Sequence, residues 1–272
     1  MPCAPTFEYC LFRCQLIADV TKRKGGCPVK HAAIARHMTP DIPDHLLKRF
    51  AEGSTRVEMF EHDGKRIWVK RPEQLSWRMR LQKGDPVAAF QQEVAAHLEL
   101  QEIGAPVPRI VARDETFMAT ADCGHDLRRF MRYPPEDTVL NAIMSKAGGA
   151  LGRLHASGLV HGRPAINDIC WDDETITFID FERMLRTDQD ETGKAKDLVI
   201  FIMSLFSYGA SSELVVKAHA GYDAESPGVS AKARKILLRR RWLPLVLKPL
   251  MPLLKRKREF VAIGATYDHF LG

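Results

Sequence analysis

Residues 154–182 read Leu154-His-Ala-Ser-Gly158-Leu-Val-His161-Gly-Arg163-Pro-Ala-Ile-Asn167-Asp168-Ile-Cys-Trp171-Asp-Asp-Glu-Thr-Ile176-Thr-Phe-Ile-Asp180-Phe-Glu182. A glycine after the last turn of a helix accepts the left-handed conformation there, so Gly158 predicts a helix end. An irregular polar loop then runs to Asp168. Two apolar runs, Ile169–Trp171 and Ile176–Ile179, flank the turn residues Asp172–Glu174 and predict a short β-hairpin. Asp168 stands at its entry and Asp180 at its exit. Such a ribbon places both carboxylates on one side, within reach of a shared cation. Oxygen donors of this kind suit Mg²⁺, which takes one or two protein carboxylates and completes its shell with water and substrate phosphates.

Upstream, Thr55–His62 and Lys65–Arg71 flank Asp63-Gly64, a strong short-range hairpin signal. Asp85-Pro86 opens a helix, with Asp85 as N-cap and Pro86 in the first helical position. Phe90, Val94, Leu98 and Leu100 supply its apolar face, and Gly104 closes it. Val107–Arg113 and Glu115–Ala121 predict two further strands, and Asp122-Cys-Gly-His125 punctuates the chain. Helical patterns follow around Leu127–Met131 and from Val139 to His155. The pattern is a mixed small lobe followed by an α-rich one, an α+β chain.

The block His161–Glu182 resembles the protein-kinase-like superfamily, most closely its lipopolysaccharide core sugar kinase branch, over about residues 50–210. Leu-His-x₄-Val-His161-Gly is similar to the approach to a kinase catalytic loop. Ile-Asp180-Phe-Glu182 resembles the metal-binding Asp-Phe-Gly motif, with Glu182 in the glycine place. Ile67-Trp-Val-Lys70 resembles the third-strand pattern whose lysine holds the α/β-phosphates. The resemblance implies that Glu93 pairs with Lys70. It implies that residues 117–124, including Asp122, form the linker that faces the adenine. It also implies that Asp197 buttresses the catalytic loop. ATP and Mg²⁺ are the expected cofactors, with Asp180 and Asp168 as metal ligands.

Two departures bear on mechanism. The kinase loop His-Arg-Asp-x₄-Asn puts a base two residues after histidine and a metal ligand five further on. Counted from His161, those places hold Arg163 and Asp168. Arginine stays protonated and cannot accept a proton. Asp168 is then expected to ligate the metal or orient the acceptor hydroxyl, with Arg163 neutralising phosphoryl charge. The alternative is a catalytically impaired, kinase-like module that binds a partner or lipid at the membrane surface. Asn167 is a secondary ligand candidate, and His161 is expected to support the loop. The second departure is that Ala51-Glu-Gly-Ser-Thr55 holds one glycine and no glycine-rich phosphate loop, so the nucleotide is gripped in another way.

The chain has 272 residues, 45% hydrophobic and 27% charged, which excludes wholesale disorder and a polytopic membrane protein. Six scattered cysteines do not make a disulfide scaffold. The opening residues lack the pattern of a signal peptide, so a reducing, cytoplasmic setting is expected. Cys10, Cys14, Cys27 and His31 approach zinc-ligand spacing, although Cys10 and Cys14 also suit a buried helix face. Gly-x-Ser-x-Gly and His-Glu-x-x-His are both missing, so hydrolase and metalloprotease readings lack a starting motif.

The positive charge is concentrated. Eleven of the 40 basic residues lie between Lys232 and Arg258 with no acid among them, which leaves 29 against 34 acidic residues elsewhere. Within this stretch, the 13 mostly apolar residues Trp242–Leu254 are too few to cross a bilayer, which takes about 20. Flanked by cationic clusters, they suit an anionic membrane surface; a Pro-kinked core helix with a basic rim is the alternative. Nucleic acid is not expected, because interleaved aromatics are lacking. The expected organisation is an N-terminal extension (1–47), a kinase-like small lobe (48–121), a helical lobe (122–230) and a basic-apolar C-terminal segment (231–272). The expected function is phosphorylation of a lipid-linked sugar at the inner face of the cytoplasmic membrane. A soluble metabolite or a protein is the alternative acceptor.

Overall fold

The structure is a computed structural model that describes residues 37–38, 42–74, 85–181, 191–247 and 257–272. Cys10, Cys14, Cys27, His31 and Glu182 lie outside the described residues.

The small lobe is built on β1 (His37–Met38), α1 (Asp44–Glu52), β2 (Val57–His62), β3 (Lys65–Lys70), α2 (Pro86–Glu102), β4 (Ile110–Arg113) and β5 (Met118–Ala121). Asp63 and Gly64 take φ of 50° and 70°, the doubly left-handed turn that matches strand twist, and pair Val57 with Lys70 through His62 with Lys65. The sheet is antiparallel, in the order β1-β4-β5-β3-β2. Its core holds Phe60, Ile67, Val69, Ala112, Phe117 and Ala119, and it reaches back to Ile42, Leu46 and Phe50. Phe50 meets Phe60 and Phe117 edge-on, with centroids 4.9 and 5.6 Å away. α2 starts as its sequence predicts, with the Asp85 side chain accepting from the Val87 N–H.

Downstream come β6 (His125–Asp126), α3 (Leu127–Arg132), α4 (Asp137–Ala156), β7 (Ile169–Trp171), β8 (Ile176–Phe178), α5 (Glu191–Ser207), α6 (Ser212–Glu225), α7 (Val229–Arg239), α8 (Leu243–Leu247) and α9 (Lys257–Leu271). The architecture is the expected α+β one, a small antiparallel-sheet lobe with a larger helical lobe. The predicted hairpin β7–β8 gains a third strand, because β6 pairs with β7. A two-residue strand has too few positions to show a period of two, so β6 was invisible in the pattern.

Glycines set how closely α4 and α6 cross. A Cβ on Gly148 would drive into the Ala218 carbonyl oxygen, and one on Gly221 into that of Ser145. A Cβ on Gly152 would lie 2.7 Å from the Tyr222 carbonyl oxygen. α9 packs against α5 and α7, its Tyr267 hydroxyl donating to the Arg240 carbonyl (3.0 Å).

Gly148→Ala should lower unfolding free energy by about 1–3 kcal/mol, since the obstacle is backbone that has no rotamer to change. Gly264→Ala, in α9 with nothing within 4 Å of a new Cβ, should be neutral or stabilising by up to about 1 kcal/mol. Urea unfolding of both variants checks the contrast.

Candidate active site

Lys70 ends β3. Its ammonium pairs with Asp180 Oδ1 at 2.9 Å and with Glu93 Oε1 in a still closer contact. Three hydrogen bonds fasten α2, and so Glu93, to the β4–β5 region. Gln91 Nε2 donates to the Glu115 carbonyl (2.8 Å) and His97 Nε2 to that of Pro108 (2.6 Å). Gln101 Oε1 accepts from the Ile110 N–H (2.9 Å). Burial holds the His97 pKa below the ordinary histidine value, which keeps the ring a neutral donor.

Asp180 follows β8 with φ of 56°, a left-handed conformation that aspartate tolerates better than most residues. The Ile179 N–H donates to the Asp168 carbonyl (2.9 Å), extending the Ile169–Phe178 pairing by one step. The backbones carrying the two acids are therefore neighbours across the open end of the ribbon. The Asp168 side chain is buried; Asn167 Nδ2 donates to its Oδ1 at 2.5 Å, and Arg163 NH2 lies 3.4 Å from its Oδ2. Asp180 is 54% exposed. Among the described residues no group of three or more His, Cys, Asp or Glu is arranged to hold a metal. Two carboxylates are nonetheless a fitting donor set for Mg²⁺, which prefers to keep water and phosphate ligands.

The loop between α4 and β7 hangs on Asp197 of α5. Its buried carboxylate accepts from the N–H groups of His161 (2.7 Å) and Gly162 (3.1 Å). His155 Nε2 lies 3.3 Å from the same carboxylate, and its Nδ1 lies 2.6 Å from the Tyr222 hydroxyl. His161 acts as a strut. Its Nε2 donates to the Ile179 carbonyl (3.0 Å), its Nδ1 accepts from the Arg163 N–H (3.3 Å), and its ring stacks on Phe181 with centroids 4.4 Å apart. Burial keeps the His161 pKa below the ordinary value, in keeping with one donor and one acceptor nitrogen.

Asp122 is engaged with the small lobe. Its carboxylate accepts from Arg66 NH2 and Trp68 Nε1, each at 2.7 Å, and its N–H donates to the Arg66 carbonyl (3.1 Å). Asp122 thus fastens the linker to β3. Trp68, Arg66, His97 and Tyr222 escaped the reading from sequence. Only His97 left a trace there, one helical turn after Glu93.

Charge at the centre is mutually reinforcing. Burial opposes the Lys70 cation, but Asp180 and Glu93 outweigh it and hold the pKa above the ordinary 10.5. Burial likewise pushes the Asp180 carboxyl up, while Lys70, with Arg56 and Arg163 adding, brings it below the ordinary 3.8. A lowered acid pKa contributes stability that is present above the unfolded-state value and lost as pH falls through the folded one; a raised lysine value contributes below the unfolded value and is lost as pH rises through the folded one. The Lys70–Asp180 pair should therefore persist from about pH 4 to pH 10. Carboxyl NMR titration should place the Asp180 midpoint under 3.8. In Lys70→Met that midpoint should move up, because burial then meets less opposition.

No family model matches the chain. A solved structure of WaaP in complex with acyl carrier protein is similar at a TM-score of 0.44 and 21% identity, covering 75% of this chain and 83% of that one. An uncharacterized protein of Haemophilus influenzae is 30% identical over 219 residues, which is 79% of this chain and 90% of the relative. The chain belongs to one family with that Haemophilus influenzae protein.

Proposed function

We propose that the protein is an ATP- and Mg²⁺-dependent phosphotransferase that phosphorylates a hydroxyl of a lipid-linked sugar, such as a lipopolysaccharide core sugar. The observation that carries the reading is one ammonium, Lys70, paired with Glu93 and with Asp180, which lies 110 positions away. A purely structural ion pair needs one partner. A lysine poised between two carboxylates at the junction of the lobes suits the phosphates of a nucleotide.

In this reading Glu93 orients Lys70, which contacts the α/β-phosphates. Asp180 and Asp168 would hold Mg²⁺, which would supply neutralisation of the phosphate charge. Arg163 faces the transferring group and offsets its charge. Phosphoryl transfer depends mainly on positioning and electrostatics, so a guanidinium in the usual place of the base is compatible with turnover. Asp168, in the Asn place, orients the acceptor hydroxyl or binds the metal. The Arg163–Asp168 pairing at 3.4 Å favours the second reading, a catalytically impaired module that binds a partner or lipid at the membrane surface.

The acceptor class rests on the family resemblance and on the C-terminal surface. Leu238, Trp242 (47% exposed) and Leu245 (71% exposed) stand out to solvent beside Arg239, Arg240 and Arg241. Apolar side chains rimmed by arginines suit an anionic lipid surface, with each cation worth about 1 kcal/mol there. Among the described residues no helix is long and apolar enough to cross a membrane.

Incubation with γ-labelled ATP, Mg²⁺ and a membrane glycolipid extract should yield a labelled lipid. Lys70→Met and Asp180→Asn should each cut the rate about 100-fold or more while the protein stays folded by circular dichroism. Thermal stabilisation by ATP without any labelled product would favour the non-transferring module. Trp242→Ala/Leu245→Ala should reduce flotation with anionic vesicles, and added salt should reduce it for the unaltered protein. Equal flotation with neutral vesicles would exclude the charge-based surface.

A further inference from the structure

In the helical lobe, three helices are joined by one line of hydrogen-bonding side chains. Asp223 and His219 belong to α6, Ser230 to α7 and His269 to α9. The Ser230 hydroxyl donates to Asp223 Oδ1 at 2.5 Å. His219 Nε2 lies 2.7 Å from the same Ser230 oxygen and 3.6 Å from Asp223 Oδ2. On its other side, His219 Nδ1 lies 2.7 Å from His269 Nε2. Phe206 of α5 meets the His269 ring edge-on, with centroids 6.1 Å apart, and Phe270 packs against both rings at 5.1 and 5.2 Å.

Counting protons fixes what this line can tolerate. The Ser230 hydrogen is spent on Asp223, so Ser230 accepts from His219, whose Nε2 carries a hydrogen. Between His219 Nδ1 and His269 Nε2, one nitrogen must donate and the other accept. Two neutral rings meet that need, with His269 donating. So does a pair holding one added proton, since the charged ring donates to a bare nitrogen on the other. A second added proton puts hydrogen on both facing nitrogens, and two positive rings 2.7 Å apart must part. Burial holds both rings below the ordinary 6.5, His269 at about 4 with the His219 ring adding there, while Asp223 works the other way on both. Arg234 of α7 is turned to the Leu271 carbonyl (3.3 Å). Lys217 of α6, Lys232 and Lys235 of α7 and Asp268 of α9 are exposed, and α5 has no ionisable side chain from Phe201 to Ser207.

We propose that Asp223, Ser230, His219 and His269 form a proton-sensitive clamp that holds α9 on the helical lobe and releases it when the histidine pair takes its second proton. α6 is set against α4 by the close backbone approach at Gly148 and Gly221, so the yielding partner is α9. Release reaches the basic stretch as well, because the Tyr267 hydroxyl of α9 donates to the Arg240 carbonyl. The clamp shares no residue with the Lys70 centre and acts whether or not the protein transfers phosphate.

Hydrogen exchange of the full chain, read by mass spectrometry from about pH 7 to about pH 4 and corrected for the intrinsic rate, tests it. Protection of the α9 amides should fall about tenfold or more, while that of β3 holds. Neutral, buried rings set the direction: their contribution is present above the unfolded-state value of 6.5 and is lost as pH falls through the folded values. His269→Gln keeps an amide that can donate to His219 or accept from it but takes no proton, so its α9 should stay protected across the range. Unchanged α9 protection in the unaltered protein would overturn the clamp. So would the same fall in His269→Gln, or an equal fall in β3, which marks general acid unfolding. Should His269→Gln fail to fold, histidine-ring NMR of the unaltered protein decides instead. Release should follow the His269 titration, and a release midpoint elsewhere overturns the clamp.

Discussion

A partly buried ammonium must be paired, and Lys70 is paired from both lobes at once. Glu93 belongs to a helix of the small lobe and Asp180 to the strand end of the helical lobe. Burying a charge without a partner costs several kcal/mol, so the two lobes are held in a relation that keeps both carboxylates at the same nitrogen. Much of the surrounding structure serves that relation. The β2–β3–β5 pairing fixes where Lys70 leaves the sheet, and three side-chain hydrogen bonds keep α2 from sliding Glu93 away.

In the helical lobe, the irregular loop from His161 to Asp168 carries buried backbone donors that need acceptors. Asp197 takes two of them on one carboxylate. Tyr222 reaches His155 beside it because Gly148, Gly152 and Gly221 let α4 and α6 approach closely. A packing feature of helix backbones is thereby connected to the placement of Arg163 and Asp168. His161 completes the link, since it hydrogen-bonds the Ile179 carbonyl just before Asp180 and lies flat on Phe181 just after.

The elements nearest the site were legible because each has a local cause. Asp63-Gly64 requires a tight turn, Asp85-Pro86 a helix start, and the alternation around Asp172–Glu174 a hairpin. α1 was less legible: Pro40 and Pro43 masked its start, although Leu46 and Phe50 lie in the small-lobe core. Asp122 was expected to belong to the linker whose backbone faces the adenine. Its carboxylate grips Arg66 and Trp68, partners 56 and 54 positions away that no local pattern announces.

Residue order along the chain determined which groups can do chemistry here: a lysine at a strand end, acids at the two ends of a ribbon, and an arginine where a base would stand. Short-range physics sufficed for that, because turns, caps and alternation act over a few residues. Only the tertiary structure decided that Lys70 serves two carboxylates, that Asp197 suspends the loop, and that Asp122 grips Arg66 and Trp68. Those relations are made between side chains tens of positions apart, and they depend on how strands register and helices cross, which local sequence does not encode.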